Sequence, residues 1–423
     1  MEKQCCKRIL ILSNECLSTR TANGRTLANF LVGYPKECLA QFSLQSVAPN
    51  FDCCENYFCV TDGEALQAFV KGKKVGKRLQ MQEEAAQSGG GKARSRTALT
   101  MLLRDLIWNS GRWKKGGFSD FVREFDPQVI LVQAGDCAFM LRLARKIAKQ
   151  YQIPLVVYNS EGYYFKKFDY FRGTGFSHWC YPIFRRKFCK EFRKLMKQAS
   201  AVIYNCSALQ QDYGKVFDAP SHVLYTATQL QPSQKEVNEK LRISYLGNLE
   251  VGRHASLITL AQKIAKIDPS VKLDIYGKMP NEQIETELRA CENINLCGFV
   301  TYEKVTEVMQ NSDILVHAEG FDDFYREDSK YAFSTKIADS IACGTCFLVY
   351  APQEFACTRY LKEHAYVVSS EAELEQTLKL LICEPASRKK YLQQARALVQ
   401  KNHQAQKNAA KFAEILNTAG AKK

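Results

Sequence analysis

Short, continuous apolar runs recur along this chain, each ending in a small or polar residue: RILILSN (Arg8 to Asn14), VILVQAG (Val129 to Gly135), LVVYNSE (Leu155 to Glu161) and AVIYNCS (Ala201 to Ser207). A strand that is apolar at every position has both faces covered, as in a parallel sheet lying between two layers of helices. Helical patterns fill the intervals, so the first half predicts an α/β layer sandwich with functional groups at the carboxyl ends of its strands. The segment QLQPSQKEVNE (Gln229 to Glu239) has no apolar face, and the alternation restarts after it. LRISYLGN, KLDIYG, NINLCGF, DILVHAE, CFLVYAP and AYVVS then predict a second α/β domain. A chain of 423 residues needs two domains in any case, since single cores rarely grow past roughly 250 to 300 residues. We place an acceptor-side domain over 1–232, a second domain over 233–385 and a helical tail over 386–423 that packs across the domain junction. QSGGGKARSR (Gln87 to Arg96) reads as a loop.

Hydrophobic residues at 46% and charged residues at 24% suit a globular chain. No run of about 18 apolar residues occurs, and the apolar stretch Ile9 to Leu12 is too short for a signal peptide, so a cytoplasmic location is expected. The 17 cysteines are scattered, with Cys5/Cys6 and Cys53/Cys54 adjacent rather than at ligand spacing, and read as free thiols rather than as a metal site. A formal charge of +15 requires a partner argument. One basic stretch holds Lys71, Lys73, Lys74, Lys77 and Arg78. Another, Lys166 to Lys197, interleaves Arg185, Arg186, Lys187, Lys190, Arg193, Lys194 and Lys197 with Trp179, Tyr181, Phe184, Phe188 and Phe192. It reads either as an amphipathic helix whose aromatics face the core or as a helix on an anionic membrane surface, which would make the protein peripheral on the cytoplasmic face. Nucleic acid is the least favoured partner.

Three strand-to-helix turns carry candidate chemistry. In FSTKIADSIACG (Phe333 to Gly344), Ser334, Thr335 and Lys336 stand at a helix start, where backbone N–H groups and the macrodipole favour a phosphate. Asp339 follows three residues later on the same face, within reach of a ribose hydroxyl. In GNLEVGRHASL, Gly247 and Asn248 open a loop that leads to Arg253 at the next helix start. An arginine there opposes the dipole, which points to an anionic partner and suggests that Arg253 and Lys336 clamp one diphosphate. In the first domain, Gly24 precedes a helix beside Asn23 and Arg25 and would let backbone approach a phosphate. Glu161 ends its strand beside Tyr163 and Tyr164, which can stack on a sugar, and is our candidate acceptor base; His178 is an alternative. Asp322 and Asp323 read as solvated rather than as metal ligands.

The order Gly247, Arg253, DILVHAE, STKIADSIACG resembles the donor-binding domain of family 4 glycosyltransferases, strongly from Arg242 to Tyr350 and weakly before Val129. The resemblance implies the GT-B fold, two facing Rossmann-like doubly wound domains with a cleft between them. It also implies a retaining transferase that takes a nucleoside-diphosphate sugar as donor and a glycan or lipid-linked acceptor, in polysaccharide or glycolipid assembly, with no bound cofactor and no metal. Within it, Arg253 and Lys336 fall on the donor diphosphate and Asp339 on the ribose, where glutamate is usual. The family often has a second glutamate eight residues earlier; Tyr331 holds that place here, and Glu319 is our candidate to replace it against the donor sugar. A sugar-nucleotide epimerase of the same fold and a basic nucleic-acid-binding protein are the alternative functions.

Overall fold

The computed structural model describes residues 6–18, 22–45, 48–80, 96–232 and 240–420. Most of QSGGGKARSR, residues 233–239 of the segment between the two alternating patterns, and the terminal lysines therefore lie outside the described residues. The chain divides into two compact units, one formed by Met1–Tyr225 with Ala405–Lys423, the other by Thr226–Gln404.

The first unit is built on an eight-stranded sheet: β1 (Ile9–Leu12), β2 (Leu39–Ser43), β3 (Asn56–Cys59), β4 (Lys77–Arg78), β5 (Val129–Gln133), β6 (Leu155–Asn159), β7 (Ala201–Tyr204) and β8 (Ser221–Val223). Their order is β4-β3-β2-β1-β5-β6-β7-β8, parallel throughout except for the β3/β4 pair. The chain winds outward from β1 in one direction through β2 and in the other through β5, so a crevice opens at the carboxyl ends of those strands. Every residue of β1 is buried, as its unbroken apolar run requires. β2 is equally buried yet carries Gln41 at its centre. That amide is satisfied internally: Oε1 accepts from the Leu17 N–H at 2.7 Å and Nε2 donates to Ser13 Oγ at 2.7 Å. A buried polar residue costs little once its partners are in place.

The helix Ala405–Thr418 completes this core. Phe412, Ile415 and Leu416 join Leu27, Phe30 and the β1 side chains, with the Phe30 and Phe412 rings 5.5 Å apart. The Lys7 ammonium donates to the Asn417 carbonyl at 2.6 Å, where the end of a helix leaves carbonyls without partners. In the helix Tyr181–Gln198 the aromatics Tyr181, Phe184, Phe188 and Phe192 are all buried, while Arg186, Lys187, Lys190, Arg193, Lys194 and Lys197 are exposed. The interleaved pattern is thus a helix with an aromatic core face and a basic outer face.

The second unit holds a six-stranded, all-parallel sheet: β9 (Ile243–Leu246), β10 (Leu273–Tyr276), β11 (Ile294–Gly298), β12 (Ile314–Ala318), β13 (Cys346–Tyr350) and β14 (Tyr366–Val368), in the order β11-β10-β9-β12-β13-β14. Here the winding reverses between β9 and β12. Loops after these two strands therefore flank the natural ligand crevice. The charged segment after β12 is not a plain loop but contains the helix Asp323–Ser329, whose first turn is capped by Asp322 accepting from the Phe324 N–H at 3.0 Å.

His403 anchors the start of this unit to its end. Its Nδ1–H donates to the Thr226 carbonyl at 2.6 Å, and Nε2 accepts from the Tyr360 hydroxyl at 2.7 Å. The Thr228 N–H returns a bond to the His403 carbonyl at 2.9 Å. Only a neutral imidazole can donate from one nitrogen and accept at the other. Burial pushes the His403 pKa down to about 4. Because the folded value lies below the unfolded one, the stability it contributes is intact above about pH 6.5 and declines as pH falls toward 4, by about 3 kcal/mol in all. Denaturant titrations at stepped pH should show this loss in the native chain and a flatter profile in His403→Gln.

Candidate functional site

In the second unit the two loops at the reversal are held together by glycines. Gly247 follows β9, and a Cβ there would lie 2.6 Å from the Tyr245 hydroxyl, which itself donates to the Asn248 carbonyl at 2.6 Å. Asn248 closes a small turn, its Oδ1 accepting from the Glu250 N–H at 2.7 Å. At Gly320, just after β12, a Cβ would sit 2.4 Å from the Val251 carbonyl oxygen. Gly252 has φ +77° and packs edge to edge with Gly320; Val251 before it has φ +59°, a left-handed conformation that a β-branched residue rarely adopts. Such strain persists only where the surroundings over-determine it.

This close packing delivers Arg253, the first residue of the helix Arg253–Ile267, to Glu319 at the end of β12. The guanidinium binds one carboxylate oxygen twice, from Nη2 at 2.8 Å and from Nε at 2.9 Å. Glu319 is 1% exposed. The anion expected opposite Arg253 is therefore supplied from within the chain. Oε1 of Glu319 lies 3.1 Å from His317 Nε2 but accepts no well-directed hydrogen bond among the described residues. Burial alone would raise the Glu319 pKa; Arg253 and His317 outweigh it and hold the carboxyl below its usual range. Burial would likewise lower the pKa of His317, but Cys357 and Glu319 push it up to about 9.

Beside this pair, a cavity of about 390 Å³ opens among Gly247, Asn248, Tyr276, Gly277, Phe299 and Lys336. Lys278 and Glu250 also line it, so two ammonium groups and one carboxylate share it with the glycine loop and the ends of β9, β10 and β11. Phe299 stands 81% exposed at its edge. The sequence-predicted residues Gly247, Asn248 and Lys336 are thus brought together, whereas Arg253 and Glu319 do not line this cavity. Ser334 lies at the start of the Lys336–Ala342 helix, its Oγ accepting from the Lys336 N–H at 3.3 Å; Thr335 makes no side-chain cap. Asp339 is buried, and its Oδ1 accepts from the Thr228 hydroxyl at 2.5 Å. It is not among the cavity-lining residues. Tyr331 is half-buried, with the Lys330 ammonium 5.2 Å from its ring centre.

In the first unit, Gly24 is buried in the opening turn of the helix Ala22–Phe30. Glu161 is half-buried, its carbonyl accepting from the Tyr213 hydroxyl at 3.1 Å. His178 lies on the surface with Nδ1 3.2 Å from buried Asp169. Residues that the sequence reading passed over cluster more densely. Asp136, three residues past the end of β5, is buried against Arg96 and accepts from the Tyr170 hydroxyl at 2.9 Å. Arg104 donates to Asp62 at 2.8 Å and to Cys137 Sγ at 2.7 Å. Arg96, Arg104, Asp62 and Asn14 line a cavity of about 480 Å³, together with Leu103 and Trp108. The available signal was AGDC at a strand end, the same placement that singled out Glu161.

Among the described residues, no group of three or more His, Cys, Asp or Glu side chains is arranged to hold a metal ion, and no helix is long and apolar enough to cross a membrane. Residues 253–414 match a family model described as glycosyl transferase-like. No curated protein matches the chain. Solved structures do. HepE from Anabaena, crystallised with UDP, superposes with a TM-score of 0.64 at 11% identity over 97% of this chain and 100% of its own. Sucrose-phosphate synthase from Thermosynechococcus elongatus gives 0.65 at 12% identity over 97% and 99%. A glycosyltransferase from Rickettsia africae gives 0.61 at 11% identity over 99% and 100%. The fold is GT-B, two Rossmann-like units in one chain.

Removing Arg253 would take from a buried carboxylate the guanidinium that binds it twice. Arg253→Ala should therefore cost about 3 to 5 kcal/mol, while adding Glu319→Gln to it should restore part of the loss. Chemical denaturation of the single and double variants measures both.

Proposed function

We propose that this protein is a retaining glycosyltransferase of the family 4 type, moving a sugar from a nucleoside-diphosphate donor to a glycan or lipid-linked acceptor in polysaccharide or glycolipid assembly. The observation that carries this reading is the cavity at the ends of β9, β10 and β11, where Lys336, Lys278 and the Gly247 loop meet. A glycine loop that admits close backbone approach, two ammonium groups and an exposed aromatic edge match the needs of a diphosphate joined to a flat base. UDP in the HepE crystals makes uridine the first base to test.

In the transfer, the bond between the anomeric carbon and the diphosphate oxygen breaks as the acceptor oxygen bonds to that carbon on the same face, its proton passing to the departing diphosphate oxygen. Negative charge grows on the departing diphosphate, and fixed cations stabilise it more than they stabilise the bound donor. Lys336 is the proposed contact to that phosphate. Arg253 would act in the same field, its charge partly offset by Glu319. Glu319, buried outside the cavity, is the proposed counter-ion that fixes the Arg253 guanidinium. In the first unit, Glu161 is the proposed partner of the incoming hydroxyl. Asp339, bonded to Thr228, would support the helix that carries Lys336, and Ser334 and Thr335 would add hydroxyls at its start.

Thermal shift with UDP, ADP, GDP and their sugars tests the donor site, since ligand at 100 times its dissociation constant stabilises by about 2.7 kcal/mol. A shift with one base series, reduced in Phe299→Ala and Lys336→Ala, is the expected result. Lys336→Ala should also lower turnover by about tenfold or more. Absence of a shift with every nucleotide, or an unchanged rate in Lys336→Ala, would overturn the assignment.

A further inference from the structure

The first unit leaves a set of large apolar side chains in solvent on three adjoining helices. The helix Ala98–Asn109 buries Ala98, Met101, Asp105 and Trp108 and turns Leu103 and Leu106 outward, the latter 56% exposed. It contacts the helices Gly175–Trp179 and Tyr181–Gln198. There Phe176 (73% exposed), Trp179 (78% exposed) and Ile183 succeed one another at helical spacing. The Leu99 N–H donates to Ser177 Oγ at 3.4 Å, and the Lys187 ammonium lies 3.2 Å from Asp105, tying the three helices side by side. Beyond Ile183, the same outer face continues as Arg186, Lys190, Arg193 and Lys197, all exposed.

Single exposed apolar residues need no explanation. Tryptophan, phenylalanine, isoleucine and leucine gathered beside a ladder of arginine and lysine do, because water solvates one part poorly and the other holds a field of one sign. We propose that this surface docks the first unit on an anionic bilayer. Trp179, Phe176 and the two leucines would enter the boundary between headgroups and acyl chains, and the basic ladder would meet lipid phosphates. Other occupants fit less well. A second copy related by a two-fold axis would set the basic ladder close to itself, and RNA would leave the aliphatic side chains without a stacking partner. Leu103 also lines the 480 Å³ cavity with Arg96 and Arg104, so the cavity borders the proposed membrane face.

The inference is independent of the catalytic assignment, because docking is read without any nucleotide. The full chain is sedimented with vesicles of phosphatidylcholine containing phosphatidylglycerol, and with phosphatidylcholine alone. Binding to the mixed vesicles only is expected. It should fall at least about tenfold in Leu106→Ser/Trp179→Ser and in Arg186→Glu/Lys190→Glu, and the remaining affinity should weaken with salt. Unchanged thermal midpoints and nucleotide shifts in these variants show that they are folded. Three results would overturn the proposal: no binding to either vesicle, binding indifferent to Leu106 and Trp179, or self-association or RNA binding that Trp179→Ser abolishes while vesicle binding is absent.

Discussion

The second unit depends on a buried cluster of charge in which Glu319 meets both Arg253 and His317. Arg253 opens the helix after β9 and Glu319 follows β12, the two strands between which the sheet reverses its winding, and each offsets the other's desolvation. Taken out of water alone, either charge would cost several kcal/mol, so the pair holds only if the loops bring the side chains to about hydrogen-bond distance. The glycines at 247, 252, 277 and 320 make that approach possible, since a Cβ at any of them would meet a neighbouring backbone or ring atom. The cavity beside the pair inherits its shape from the same loops. Its geometry is therefore a consequence of charge neutralisation in the core as much as of any demand made by a ligand.

Much of the fold could be read from the chain because parallel strands buried on both faces leave unbroken apolar runs, and ten of these identify strands in both sheets. Where the rule is broken, the strand disappears from view. β2 contains Gln41, and nothing local signals that Ser13 and Leu17, far away in sequence, will satisfy its amide. β8, with the sequence SHV, is half-buried and too polar to stand out. The site was legible to the same depth. Helical spacing correctly predicts that Lys336 and Asp339 share a helix, and cavity placement bears on the lysine alone. Periodicity relates two side chains to each other but says nothing about which distant group, here Thr228, one of them will bond. Arg253 repeats the lesson: its position at a helix start demanded an anion, and the sequence held no sign that Glu319 was the one.

In the basic aromatic stretch, packing sorts most of the aromatics from the cations. Aromatics at 181, 184, 188 and 192 fall three and four residues apart and go to the core, which leaves the cations outside. Of the aromatics that first suggested a surface, Trp179 alone stays exposed, and Phe176, which did not, joins it on the neighbouring helix. Exposure is a property of the whole fold, and only the fold can select them. Asp136 was hidden for a related reason. One carboxylate after an apolar strand is common, and only the convergence of Arg96 and Tyr170 upon it distinguishes this one.

The path of the chain has a consequence for the order of events during synthesis. The core of the first unit includes Phe412, Ile415 and Leu416, whereas every residue of the second unit lies between Thr226 and Gln404. A ribosome releasing the chain from its N-terminus delivers the complete second unit while the first still lacks its last helix. The later unit in sequence can therefore finish folding earlier, and the nascent first unit must wait with Phe30 and its neighbours uncovered.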